Sequence, residues 1–178
     1  TNLLESRLLS GSATLFGRFV TGTTSILDPE AFFQAKRSEQ EQRYNRFNHT
    51  PYSLEPNCKE NPGGLRDLHN LIWITRSAGL GASWSDLARQ GLLTAEEART
   101  LRAAERFMQK VRIELHYIAG RREDKLVFDH QEALAEAFGI KPSKTRRASE
   151  LMMQRYYRVA KKITQLHAIL IQSIAVRY

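Results

Sequence analysis

Two long stretches of this chain repeat apolar residues by threes and fours. One carries Leu101, Ala104, Met108, Val111, Leu115 and Ile118; the other carries Met152, Tyr156, Val159, Ile163, Leu166 and Leu170. At 3.6 residues per turn each set lies on one face of a helix. An apolar stripe that long must be buried against other elements, so the pair fixes the kind of fold more tightly than any other feature. Leu65, Leu68, Leu71, Ile72 and Thr75 give a third, shorter stripe, and no stretch sustains strand alternation between hairpin turns. The expected fold is all-α, a helical bundle whose stripes form the core rather than a cofactor box.

Local signals place the helices. Asn2 is positioned to cap a short helix through Leu9, and Ser12 a second through about Val20. Asp28-Pro29 sets a capping acid before a proline at the first helical position. That helix is expected to run to about Phe47 and to face solvent, given Lys36, Arg37, Glu39, Glu41, Arg43 and Arg46. From Asn48 to Gly64 prolines, glycines and polar turn formers predict a long loop, and loops of that length tend to be functional. A helix follows from Leu65 to near Gly79, and a short one from Ser83 to Gly91. Thr94-Ala95-Glu96-Glu97 is a capping box opening a helix that Gly120 stops. Asp129 is expected to cap a helix ending at Phe138-Gly139, and the last helix runs from about Arg146 to Val176.

Bulk properties bound the function. The 178 residues suffice for a single helical domain. No apolar run approaches the length of a membrane span. The single cysteine, Cys58, excludes an internal disulfide framework and a cysteine-rich zinc site and fits a reducing, cytoplasmic setting. There is no signal-like start and residue 1 is not methionine, so the chain reads as a piece of a longer polypeptide. Residues 1–140 hold 18 basic and 18 acidic side chains, whereas 141–178 hold nine basic residues and only Glu150. The whole net charge of +8 therefore sits in the last segment. Such asymmetry fits either contact with an anionic partner or a flank that faces an acidic neighbouring domain. No aromatic-interleaved basic stripe or helix-turn-helix pattern points to nucleic acid.

The most specific local feature is Lys59-Glu60-Asn61-Pro62-Gly63-Gly64-Leu65-Arg66-Asp67-Leu68. Pro62 fixes one backbone angle, Gly63 and Gly64 admit conformations closed to other residues, and a helical pattern begins at once. Arg66 and Asp67 are thus delivered to a first helical turn with Lys59 upstream, an arrangement suited to an anion. The plainer reading is a tight turn, with Asp67 complementing the helix dipole and accepting from loop N–H groups or from Arg66. Asp67 is read as structural, and Arg66 and Lys59 as functional.

The stretch Tyr52 to Leu68 closely resembles the bacterial PII uridylyltransferase/uridylyl-removing enzymes, in the helical region after their nucleotidyltransferase domain. Arg112 to Gln131, with Leu115-His116, Gly120-Arg121, Asp124, Leu126, Phe128-Asp129 and Gln131, and Leu151 to Ala160 match the same region. So does the opening Leu3 to Gly11, which resembles the join to the catalytic part. The resemblance implies that residues 1–27 adjoin an upstream nucleotidyltransferase domain, with hydrolase and glutamine-sensing domains downstream. It implies an enzyme that moves UMP from UTP to a tyrosine of PII when glutamine is scarce and removes it when glutamine is plentiful, with Mg²⁺ or Mn²⁺. Glutamine-synthetase adenylyltransferases share a looser form of the motif and are the nearest rival, and a non-enzymatic helical docking module is another.

Catalytic residues are not expected in this chain. Nucleotidyl transfer needs paired carboxylates for the metal, yet no Asp-x-Asp occurs, and no His-Asp dipeptide of the family's hydrolase type is present. The five histidines are scattered, so no bound metal is expected here. The resemblance makes Lys59, Arg66, Arg112 and Arg121 the candidate nucleotide or phosphate contacts. The plainer reading of Arg112, Arg121 and Arg122 is surface pairs and cations at a helix end. Pro62, Gly63, Gly64 and Asp67 form the structural motif, and Gln131 is read as a buried polar latch or cap partner. Tyr156 falls on the core stripe, and Tyr157 points elsewhere and is available to a partner.

Overall fold

The three-four stripes fold as helices that bury them on one another. A computed structural model describes residues 2–177, with side chains from Leu3. A 3-10 turn at Asn2–Glu5 precedes α1 (Ala13–Ile26), α2 (Pro29–Arg46), α3 (Leu65–Ser77), α4 (Trp84–Arg89), α5 (Ala95–Ala119), α6 (Phe128–Ala137) and α7 (Ala148–Ala175). Among the described residues there are seven α-helices and no strand, so the fold is all-α. A lone antiparallel bridge joins Asn57 to Lys125.

Helices α3, α5, α6 and α7 pack together around the main core, with α4 against α5 and α2 against α3. Leu68, Leu71, Leu101, Met108, Leu115, Leu134, Met152, Tyr156 and Leu170 are fully enclosed there. Phe33, Ile74 and Ile174 form a smaller cluster under α2. Both ends of α5 follow local chemistry. Thr94 and Glu97 complete the capping box, and Gly120 takes the left-handed conformation at φ +63° that a non-glycine residue disfavours.

Several boundaries differ from expectation. The opening segment forms a short 3-10 turn closed by Ser6 Oγ on the Leu3 carbonyl, not a helix through Leu9; the Asn2 side chain lies outside the described residues. Helix α1 continues past Val20 to Ile26. The hydroxyls of Thr21, Thr23 and Thr24 donate back to carbonyls four residues earlier, so the threonine run stays within the helix. None of the residues of α1 is buried.

Helix α2 is not solvent-facing along its length. Phe33, Lys36 and Arg43 are buried, and Arg43 is only 3% exposed. Lys36 keeps its charge compensated by Glu39, and its ammonium lies 5.2 Å from the Trp73 ring centroid. Asp129 does not cap α6. Val127 occupies the cap position, and Glu55 Oε1 accepts the Phe128 N–H at 2.9 Å from across the chain. The Asn57–Lys125 pairing and the Lys125–Glu55 ion pair carry Glu55 there, a cap that local sequence does not contain.

Candidate functional site

The loop before α3 is built on its own polar side chains. Asn57 Oδ1 accepts from the backbone N–H groups of Lys59 and Glu60, and Asn61 Oδ1 accepts from the Asn57 N–H. Such side-chain turns mimic backbone turns and fix a loop without a sheet. The first α3 amides are then satisfied from the same loop: Leu65 N–H donates to the Cys58 carbonyl at 3.0 Å and Arg66 N–H to that of Lys59 at 2.8 Å. These bonds occupy N–H groups that an anion at the helix start would otherwise use.

Gly63 and Gly64 are both demanded, for different reasons. Gly63 sits at φ +78°, and a Cβ there would lie 2.3 Å from the Ala160 carbonyl oxygen of α7. Gly64 has an ordinary φ of −88°, but its Cβ would meet three loop carbonyls at 2.8 to 2.9 Å. The turn is pressed directly onto the α7 backbone.

Asp67 is the knot of this arrangement. It is fully buried and accepts from Arg43 Nη2 at 2.5 Å, from the Tyr44 hydroxyl at 2.7 Å and from the Gly63 N–H at 2.7 Å. Arg43 Nη1 also donates to the Glu60 carbonyl. Burial, together with the Asp67 carboxylate, pushes the Tyr44 phenol far up, so it stays a neutral donor. The partner of Asp67 is thus Arg43 of α2, not Arg66.

Arg66 turns the other way. Its Nη2 donates to Glu60 Oε1 at 3.1 Å and its guanidinium carbon lies 5.5 Å from the Trp73 ring centroid. Lys59 Nζ is 3.5 Å from the same Glu60 oxygen. Burial works against the ionised Glu60, but the Arg66 hydrogen bond and the charges of Arg66, Lys59 and Arg43 override it and hold the carboxyl below its usual range. On α5, Arg112 Nε donates to Asp124 Oδ1 at 2.6 Å and His116 Nε2 lies 3.1 Å from the same oxygen. Burial again opposes the charge, and the bonds from Arg112 and His116 outweigh it, with Lys59 adding its own attraction.

Lys59, Arg66 and Arg112 therefore stand around two carboxylates, each partly exposed and each with N–H donors to spare. Arg121 is 74% exposed and bonded to Glu123; among the described residues no hydrogen bond or ion pair joins it to the other three. Gln131 Nε2 donates to the carbonyls of Leu54 and Leu126, which ties the loop to α6. Tyr157 is half-buried, its hydroxyl on the Ser53 carbonyl. Sequence reasoning missed Arg43, Tyr44, Glu60 and Trp73. Glu60 lies inside the motif and Trp73 two turns along α3, but nothing in the polar run of α2 separates Arg43 from Arg37 or Arg46.

The carboxylates nearest the motif are all engaged by cations or hydroxyls of the chain. Among the described residues no three His, Cys, Asp or Glu side chains gather as a metal site. These residues do not fit a divalent metal, and what they suit is an anion. Cys58 does not suit nucleophilic chemistry either: burial, with the Asp124 carboxylate beside it, pushes the thiol up to about 12. At pH 8 the folded protein is expected to react with a disulfide reagent at least about a hundredfold more slowly than the denatured chain, since little thiolate forms. A stopped-flow thiol titration checks this, and equal rates would show an open, ordinary thiol.

The model of the family described as GlnD PII-uridylyltransferase matches residues 31–171, which hold the whole motif and its partners. The chain belongs to this family. It is 60% identical over 176 residues to the bifunctional uridylyltransferase/uridylyl-removing enzyme of Aromatoleum aromaticum, covering 99% of the chain and 20% of that protein. The enzymes of the same description from Bordetella avium and Bordetella parapertussis are 56% and 55% identical over 177 residues, with 99% of the chain and 21% and 20% of those proteins covered. The chain thus spans about a fifth of the length of these family members. No solved structure matches it. No helix among the described residues is long and apolar enough to cross a membrane.

Proposed function

We propose that this chain is the helical domain of a bifunctional PII uridylyltransferase/uridylyl-removing enzyme and forms one wall of its nucleotide cleft. The whole enzyme would transfer UMP from UTP to PII and remove it by hydrolysis, in response to glutamine, in the cytoplasm. Mg²⁺ or Mn²⁺ would be held by carboxylates of domains outside this chain. The observation that carries the reading is the Lys59–Leu68 turn: the most specific local feature of the sequence is also a tightly packed device that holds two cations around the start of α3.

The geometry suits stabilisation of charge rather than proton transfer. Arg66 is fixed from two sides, by Glu60 and by the Trp73 face, so its free donors are oriented before any ligand arrives. Donors set in advance need no reorganisation as negative charge spreads over a transferring phosphoryl group. Lys59 and Arg112 would add attraction for the triphosphate. Asp67, Arg43 and Gly63 would act through the backbone, keeping the turn in place.

In the full-length enzyme Arg66→Ala is expected to lower uridylyl transfer by roughly 10²-fold, the scale of losing one preorganised donor. Arg66→Lys should recover only part, because the ammonium lacks the planar fork. UMP removal and the melting temperature should change little. Steady-state transfer to PII, removal from modified PII and a melting curve measure the three. Near-normal transfer by a well-folded Arg66→Ala enzyme would make the motif a structural hinge.

A further inference from the structure

Arg66, His69 and Trp73 fall at i, i+3 and i+7 on α3 and so share one face. The His69 ring lies 5.7 Å from Trp73, tilted by 41°, and Arg66 lies over the same indole at 5.5 Å. Helix α5 packs against α3 and carries Arg112, whose charge acts on the His69 ring. His69 is half-buried, and neither of its ring nitrogens makes a hydrogen bond among the described residues. It is a donor-acceptor ring without a hydrogen-bond partner among the described residues, set at the same indole as Arg66, a cation with donors to spare.

We propose that His69 is a third phosphate contact on the Arg66–Arg112 face and that a polyphosphate binding there draws a proton onto its ring. This rests on the reading of that face as part of the nucleotide cleft. The charges that act on His69 are those of Arg66 on its own helix, Glu105 and Arg112 on α5, and Glu5 of the N-terminal 3-10 turn. Glu105 is already bonded to the Trp84 indole N–H at 2.8 Å. Burial first, then Glu5 and Glu105 against Arg66 and Arg112, leave the free ring below the ordinary histidine range and hence neutral at pH 7. A polyphosphate would cancel the two repelling guanidinium charges and supply acceptors, so both changes favour the imidazolium. The ring would then donate a charge-assisted bond.

Calorimetric titration of UTP, and separately of inorganic tripolyphosphate, into the full-length enzyme tests this in two buffers of different ionisation enthalpy. Wild type is expected to take up a fraction of a proton at pH 7.5 with either ligand. His69→Gln should abolish that uptake and weaken binding about tenfold at pH 6.5 but little at pH 8.5, the scale of one hydrogen bond to a charged group. His69→Arg should bind well at both pH values with no uptake. Unchanged uptake in His69→Gln overturns the proposal. Arg66→Ala separates the two ideas: if it loses UTP affinity while His69→Gln keeps both affinity and uptake, only the role of His69 fails. If neither variant alters UTP binding, the cleft reading fails with it.

Discussion

Asp67→Asn is expected to destabilise the protein by about 3–5 kcal/mol, the range for removing one partner of a buried ion pair. The substitution keeps shape and volume, so the loss is electrostatic. Arg43, 3% exposed, would be left with its charge uncompensated between α2 and α3. The amide also cannot accept from Arg43, Tyr44 and the Gly63 N–H as the carboxylate does. For a chain of this size the melting temperature should fall by roughly 10 °C or more. Arg121→Ala is the control: its side chain is 74% exposed and the change should cost less than about 0.5 kcal/mol. Replacing both charges, as Arg43→Met with Asp67→Leu, should recover part of the loss, because an apolar pair leaves no charge unpaired. Asp67→Asn melting within a degree or two of wild type would show that Asp67 is not the knot of the turn.

Gly63→Ala is expected to cost roughly 3 kcal/mol or more, from left-handed strain of about 1–2 kcal/mol together with overpacking of about 1–3 kcal/mol. The contact is with the backbone of α7: the new Cβ would stand 2.3 Å from the Ala160 carbonyl oxygen, and no rotamer change can relieve that. Either the turn lifts from α7, taking Arg66 and Asp67 with it, or the fold is lost. Gly139→Ala isolates the strain, since Gly139 has φ +66° and nothing within 4 Å of its Cβ position. It should cost only about 1 kcal/mol. Equilibrium denaturation of both variants gives the comparison, and equal stability for the two would mean that the turn does not need its close approach to α7.

The helices with strong stripes were readable in advance because burial demands one apolar face and caps are local. Thr94–Glu97 and Gly120 bound α5 where their chemistry says they should. The turn at Pro62-Gly63-Gly64 was legible for the same reason. The ends of α2 were legible from Asp28-Pro29, but its buried face was not, because that face carries Lys36 and Arg43 and has no apolar period to report it. The cap on α6 failed as a local reading because Glu55 arrives from 73 residues away. Gly64 illustrates a subtler limit: its φ is open to any residue, and only the three carbonyls around it exclude a side chain.

By itself the sequence determined that the chain is all-α, where its apolar stripes lie, and that Lys59 and Arg66 flank a tight turn. These follow from periodicity and from glycine and proline chemistry, which act over a few residues. Only the tertiary structure decided which charge answers which. Asp67 pairs with Arg43 of α2, Arg66 with Glu60, and Arg112 with Asp124, while the largely exposed Arg121 pairs with Glu123. An ion pair depends on distance and burial in space, and an arginine on a polar helix reads the same whether it ends at the surface or against a buried carboxylate.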